Sequence, residues 1–153
     1  MGGMQLLGII TGISLLLSVA SALLVDRFLI ERIAVLGSFA GFQLSHNPGI
    51  AFGLRLPPVA QEILIGIALI LVAIIAVRHA RQMANRKWPM ANISFGLILG
   101  GGIANIIDRI PDGLVTDFIQ IGTFPTFNVA DSCITIGAFL LIIESFIRSR
   151  RER

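Results

Sequence analysis

The sequence predicts an all-α membrane protein of four transmembrane helices carrying a small β-rich extracytoplasmic cap. Three observations predict it. Hydrophobic residues make up 55% of the 153 residues and charged residues only 14%, against about a quarter in a soluble domain. Mean hydropathy is +0.87. The apolar residues gather into four long runs, and the charges gather between and beyond them. A soluble core this small could not hide so much apolar surface, so lipid is the expected solvent. The length suits one domain, residues 1–153.

The runs are roughly Met4–Val25, Val59–Val77, Ala91–Ile107 and Ser132–Ile147. Each has about the 17–25 residues that a helix needs to cross the hydrocarbon core. The first run is too long for the apolar stretch of a cleaved signal peptide and has no basic segment before it, so it is expected to stay as a helix. Arg78, Arg81, Arg86 and Lys87 lie between the second and third runs, and Arg148, Arg150, Arg151 and Arg153 form the tail. Basic loops mark the cytoplasmic side, so both termini are expected there. The net charge of +3 therefore reflects topology, and no nucleic-acid partner is expected. Trp88 adjoins a predicted interface, where tryptophan is favoured.

Residues 26–58 and 108–130 then face outward. Seven of the nine acids lie in or beside them: Asp26, Glu31, Glu62, Asp108, Asp112, Asp117 and Asp131. The exceptions are Glu144 and Glu152. Acidic residues set topology only weakly, so this crowding needs another cause. Phe42-Gln43-Leu44-Ser45-His46 alternates apolar and polar, as a half-buried strand does. Pro57-Pro58 breaks the chain before the second span. Pro111-Asp112-Gly113 is a turn signal, and Leu114–Ile119 after it reads as a short strand.

Several chemistries are excluded. No His-Glu-x-x-His segment exists. The histidines are His46 and His79, and the only lysine is Lys87. His79 and Lys87 are both cytoplasmic in this topology, so no outer serine–lysine dyad can form. Cys133 is the only cysteine, so it forms no disulfide within the chain. It could pair with His46, although a lone cysteine in a membrane helix is usually a packing residue. The run Gly100-Gly101-Gly102 lies inside a span and reads as a close helix–helix contact.

A polar stripe remains. Asn105, Asp108 and Arg109 stand at i, i+3 and i+4, on one helix face. Such a stripe is costly in lipid and should face the bundle interior or a wet cavity. Asp131 sits where the fourth span enters the membrane, and Asp117, following a predicted turn, can fold back toward it. Each residue also has a structural reading. Asn128-x-x-Asp131 fits a helix N-terminus with a capping side chain, Asp108-Arg109 fits an interfacial ion pair, and Asp26 fits a helix end. Together they converge on one membrane face, where an ionisable cluster is a functional hypothesis. Physical chemistry alone leaves proton or ion handling and carboxylate catalysis both open.

At these residues the sequence resembles lipoprotein signal peptidase, the signal peptidase II family. Asp26 closes the first span, where the family has an aspartate. Asn47-Pro48-Gly49-Ile50-Ala51-Phe52-Gly53 resembles its Asn-x-Gly-x-Ala-Phe segment. Gly101–Arg109 resembles its Gly-Gly-x-x-Asn-x-x-Asp-Arg segment. Val115-Thr116-Asp117-Phe118 and Phe127-Asn128-Val129-Ala130-Asp131 resemble the blocks with its catalytic aspartates. The resemblance implies Asp117 and Asp131 as the catalytic pair. It implies Asp26, Asn47, Gly49, Asn105, Asp108, Arg109 and Asn128 as residues that bind substrate or shape the site. The chain departs from the family at Arg27 and Ile30, where glutamine and lysine are usual, and at Ala104, where glycine is common.

The implied activity is a membrane aspartic endopeptidase of the bacterial inner membrane. It would cleave prolipoproteins before the diacylglyceryl-modified cysteine, at the extracytoplasmic face, as a monomer among membrane lipids. Two close carboxylates in a poorly hydrated site share a proton, and the mechanism is complete without metal or cofactor. A small proton- or ion-coupled transporter using the same carboxylates is the alternative, although transport sites usually lie near the midplane. An inactive membrane scaffold is the third reading. The topology is open to a direct test. With Cys133 replaced by Ala, cysteines introduced at Arg86 and Arg150 should resist a membrane-impermeant thiol reagent, and their labelling in intact cells would overturn the orientation.

Overall fold

The computed structural model describes residues 2–49, 57–82 and 90–151. Ile50–Gly53 of the asparagine–glycine segment, Arg86, Lys87 and Trp88 of the basic loop, and Glu152 and Arg153 of the tail lie outside the described residues. Four long helices and four strands follow in the order α1 Gly3–Phe28, β1 Ile33–Leu36, β2 Ala40–Asn47, α2 Pro58–Gln82, α3 Met90–Arg109, β3 Val115–Ile121, β4 Phe124–Phe127 and α4 Val129–Arg151. All four helices are long and apolar enough to span a membrane.

Each helix outruns its hydrophobic run, because backbone hydrogen bonding continues into the polar interface. Asp26 therefore lies in the last turn of α1 rather than closing it. Helix α2 begins at Pro58, the position where a missing N–H and a fixed φ are tolerated. Helix α3 is central: 56% of its membrane window is buried, against 17%, 11% and 11% for α1, α2 and α4.

The glycine run makes that centre possible. Successive helix residues point about 100° apart, so three consecutive glycines open three faces. A Cβ on Gly100 would meet Ser14 Oγ and lie 2.6 Å from Thr11 O on α1, one on Gly101 would lie 2.5 Å from Ala130 O on α4, and one on Gly102 would strike Leu69 of α2. The expected close helix contact is therefore present, on three sides at once.

The cap is a single antiparallel sheet in the order β1-β2-β3-β4. The two middle strands, β2 and β3, bracket the α2–α3 pair in sequence, so their pairing joins the helices at one end of the bundle. Strands β1 and β4 were not expected from the sequence. The four residues of β1 are all exposed and do not alternate. Strand β4 contains Pro125, a residue confined to sheet edges. The expected alternation in β2 is also interrupted. Phe42 pairs with Ile119 but Ser45 pairs with Asp117, so β2 carries one extra residue there, a β-bulge.

The glycine contacts generate a stability prediction. Gly101→Ala should destabilise the protein by about 1–3 kcal/mol, because its methyl must displace α4 backbone. Gly12→Ala, with nothing within 4 Å of its added Cβ, should be neutral or stabilising by up to about 1 kcal/mol. Thermal unfolding in detergent measures both, and equal melting of the two variants would refute the packing argument.

Candidate active site

The site forms where the start of α2, the end of α3 and the start of α4 meet β2 and β3. Asp117 on β3 is 1% exposed. Its Oδ2 accepts a hydrogen bond from Asn47 Nδ2 at 2.9 Å. Its Oδ1 is buried and receives no hydrogen bond from the described residues. The bulge in β2 decides this pairing. Without the extra residue Asp117 would oppose Leu44, and His46 would share its face. With it, Asp117 opposes Ser45, and Asn47, two residues on, becomes its diagonal neighbour.

Asn47 is itself held. Its Oδ1 accepts the Gly49 N–H at 2.8 Å, an Asx turn that leaves Nδ2 for Asp117. Arg109, 9% exposed, donates from Nη2 to Gly49 O at 2.8 Å and from Nη1 to Asn105 O at 3.4 Å. Its Nε faces Glu62 Oε1 at 3.5 Å, an ion pair without hydrogen-bond geometry. Arg109 thus pairs with Glu62 on α2, and the Asp108–Arg109 ion-pair reading is replaced. Asp108 instead accepts from Thr116 through its backbone N–H at 2.6 Å and its Oγ1 at 3.3 Å. That anchors β3 one residue before Asp117.

A second network surrounds Asp131. Asn105 Nδ2 donates to Asp131 Oδ1 at 2.9 Å, and Asn128 Nδ2 donates to Asn105 Oδ1 at 3.1 Å. Asp131 N donates to Asn128 Oδ1 at 2.8 Å, and Asn128 N to Asp131 Oδ2 at 3.4 Å. The last two bonds are the reciprocal pattern of a capping box. The capping reading of Asn128 and Asp131 therefore holds together with their membership of the cluster.

The electrostatics follow from the geometry. Burial pushes the Asp117 carboxyl up to about 6. The neighbouring charges of Asp131 and Asp108 push the same way, while the Asn47 hydrogen bond and the Arg109 charge oppose. Asp26 stands apart. It is exposed, and its Oδ1 lies 3.9 Å from His46 Nε2, so His46 faces Asp26. A cavity of about 190 Å³ opens beside the cluster, lined by Ser18, Ala22 and Leu23 of α1, Ala104 and Asn105 of α3, and Asn128.

The family model for signal peptidase (SPase) II matches residues 10–147. The chain belongs to the signal peptidase II family. It is 37% identical over 125 residues to the lipoprotein signal peptidase of Chlorobium luteolum, covering 74% of this chain and 72% of that one. It is 38% identical over 111 residues to the enzyme of the same name from Moorella thermoacetica, covering 72% and 71%. Two solved bacterial membrane enzymes share the fold. One gives a TM-score of 0.81 at 23% identity over 96% of this chain and 91% of that one, and the other 0.71 at 24% over 90% of each. Membership of signal peptidase II makes the chain a protease, and its four apolar helices make it multi-pass.

Gln61, Glu62 and Thr116 join the site although none of them is expected from the sequence to have a role in it. Thr116 adjoins Asp117, and Gln61-Glu62 interrupts an otherwise apolar span, which was the available signal. The Asp117 environment generates a second prediction. Its folded pKa of about 6 lies above the ordinary value of 3.8. The folded state therefore holds this proton more tightly than the unfolded chain, and the associated stability, of order 3 kcal/mol, is present below about pH 4 and lost as pH rises through about 6. Asp117→Asn removes that loss. It should melt about 6–12 °C above the wild type at pH 7.5 and no higher at pH 4. Equal melting at both values would show that the carboxyl is not so perturbed.

Proposed function

We propose that this protein is the aspartic endopeptidase that removes signal peptides from bacterial prolipoproteins, cleaving before the diacylglyceryl-modified cysteine. The observation that carries the reading is the buried Asp117 carboxyl, whose proton is favoured first by burial and further by the Asp131 charge. In this reading the pair shares one proton and titrates as a unit. Asp131 takes a proton from water as the oxygen attacks the scissile carbonyl carbon. Asp117 gives its proton to the carbonyl oxygen. The tetrahedral diol then collapses: the proton on Asp131 passes to the leaving nitrogen, the C–N bond breaks, and a diol proton returns to Asp117. No covalent intermediate forms, and neither metal nor cofactor is called on.

Asn47, Asn105, Asp108, Arg109 and Asn128 serve as the frame that fixes the two carboxylates. Gly49 offers its carbonyl to Arg109, and Asp26, at the lipid edge with His46, is available to the substrate on its way in. The cavity beside Asn105 and Asn128, walled largely by aliphatic carbon, suits an apolar part of the substrate. Buried acyl chain contributes about 0.8 kcal/mol per CH₂, so lipidation should dominate binding. The protein acts as a single-domain monomer in the inner membrane, with both termini cytoplasmic and the site at the outer face.

Replacement of either aspartate tests the reading. Asp117→Asn and Asp131→Asn should each lower cleavage of a diacylated prolipoprotein by about a thousandfold or more. The double variant should be hardly worse, because residues that act as one unit are not additive. Asp112→Asn should stay near normal, since Asp112 Oδ1 only accepts the Leu114 N–H at 2.9 Å in the turn. Substantial activity in either single variant, folded and inserted, would sink the assignment.

A further inference from the structure

The first turn of α2 grips the segment that presents Asn47. Gln61 is 2% exposed, and its backbone N–H bonds Pro57 O at 2.9 Å, which seats it in that turn. Its side-chain Nε2 donates to Pro48 O at 3.2 Å. Its Oε1 is buried and meets no donor among the described residues. A buried acceptor left without a donor destabilises the fold. A side chain of the same length without polar atoms would avoid that loss, so packing alone does not account for an amide here. What the amide adds is its bond to Pro48.

That bond reaches Asp117 in two steps. Proline has no N–H, so the carbonyl is the one backbone hydrogen-bonding group by which Pro48 can be held. The flanking residues form the Asx turn, with Gly49 N on Asn47 Oδ1 at 2.8 Å, and this turn directs Asn47 Nδ2 to Asp117 Oδ2 at 2.9 Å. Arg109 holds the next carbonyl, Gly49 O, at 2.8 Å, and Arg109 is itself paired with Glu62. Two successive carbonyls of the turn are thus fixed from one turn of α2, one by Gln61 and one through Glu62 and Arg109.

We propose that Gln61 is a positioning residue, whose donation to Pro48 O holds the Asx turn that aims the Asn47 amide at Asp117. The inference rests on the reading of Asp117 as a catalytic carboxylate. The Asn47 bond favours ionised Asp117, so a loosened turn lets Asp117 keep its proton to higher pH. The other charged or titratable groups around it are Asp131 on α4, Asp108 and Arg109 on α3, Glu62 behind Arg109 on α2, His46 on β2 and Asp26 on α1. Replacing Gln61 leaves all of these in the protein.

The experiment measures cleavage of a diacylated prolipoprotein peptide by the full-length protein across pH 4–9. Gln61→Met keeps the length of the side chain and removes both polar atoms. Its kcat should fall about tenfold, the value of one hydrogen bond, with KM little changed. The alkaline limb of its pH profile should move up by about half a unit to one unit. Its Tm should equal or exceed the wild type's, because the orphaned acceptor is gone. Asn47→Leu should move the limb the same way and at least as far, and Gln61→Met added to it should move it no further. Gln61→Leu gives a second measurement should the methionine variant not fold. A limb that superimposes on the wild type, or shifts that add in the double variant, overturns the proposal. An active Asp117→Asn overturns the catalytic reading instead; an inactive one beside an unmoved Gln61→Met limb overturns the positioning role alone.

Discussion

The structure depends on the close approach of three helices to the backbone of α3 at Gly100, Gly101 and Gly102. In lipid there is no hydrophobic drive between helices, so packing and interhelical hydrogen bonds must hold a bundle together. Three glycines in a row give α1, α4 and α2 each a smooth face to meet. The consequence for the site is positional. Asn105, Asp108 and Arg109 follow directly in the same helix, one turn and more beyond the contact. Their placement is therefore set by the tightest packing in the molecule. An Asn105 amide that must sit 2.9 Å from Asp131 needs α3 and α4 at a fixed separation, and the contact of Gly101 with Ala130 O fixes it one residue from Asp131.

The sheet supplies the second constraint. Strands β2 and β3 are distant in sequence, yet their pairing brings Asn47 to Asp117 across the α2–α3 pair. The extra residue in β2 selects which side chain arrives. An asparagine amide donates to a carboxylate without carrying charge of its own. A histidine in that place would have been a donor whose charge depends on pH. The bulge keeps the histidine outward, against Asp26, and keeps a neutral donor inward.

The parts legible in the sequence are those set by local pattern. Four apolar runs announced four helices, the i, i+3, i+4 spacing announced the polar face of α3, and Pro111-Asp112-Gly113 announced the turn into β3, where Gly113 takes φ 81°. The parts that escaped are set by distant partners. The β2 bulge leaves no mark on an alternating sequence, because it is defined by what lies opposite. Strands β1 and β4 sit at the sheet edges, where neither burial nor alternation is required. Gln61 looks like an ordinary polar residue at a helix start, and its meaning lies in a carbonyl thirteen residues away. The short spacing of Asn128 and Asp131 was legible as a cap. That the same two side chains also bind Asn105 depends on the packing of α4 against α3.

This double use of Asp131 makes the two aspartates unlike. Asp131 has both oxygens engaged, one by Asn105 and one by the Asn128 backbone N–H, and its own N–H is tied to Asn128. Its orientation is fixed by the helix it caps. Asp117 has one oxygen engaged and one buried without a donor among the described residues. Burial then decides its chemistry, because a desolvated carboxylate with a single neutral donor is the form the site stabilises least. Arg109 limits the effect but does not cancel it: its Nη atoms bind backbone carbonyls and its Nε faces Glu62, so its charge reaches Asp117 without a direct bond. The asymmetry between the two carboxylates therefore follows from where each sits, one at a helix N-terminus and one in the middle of a sheet.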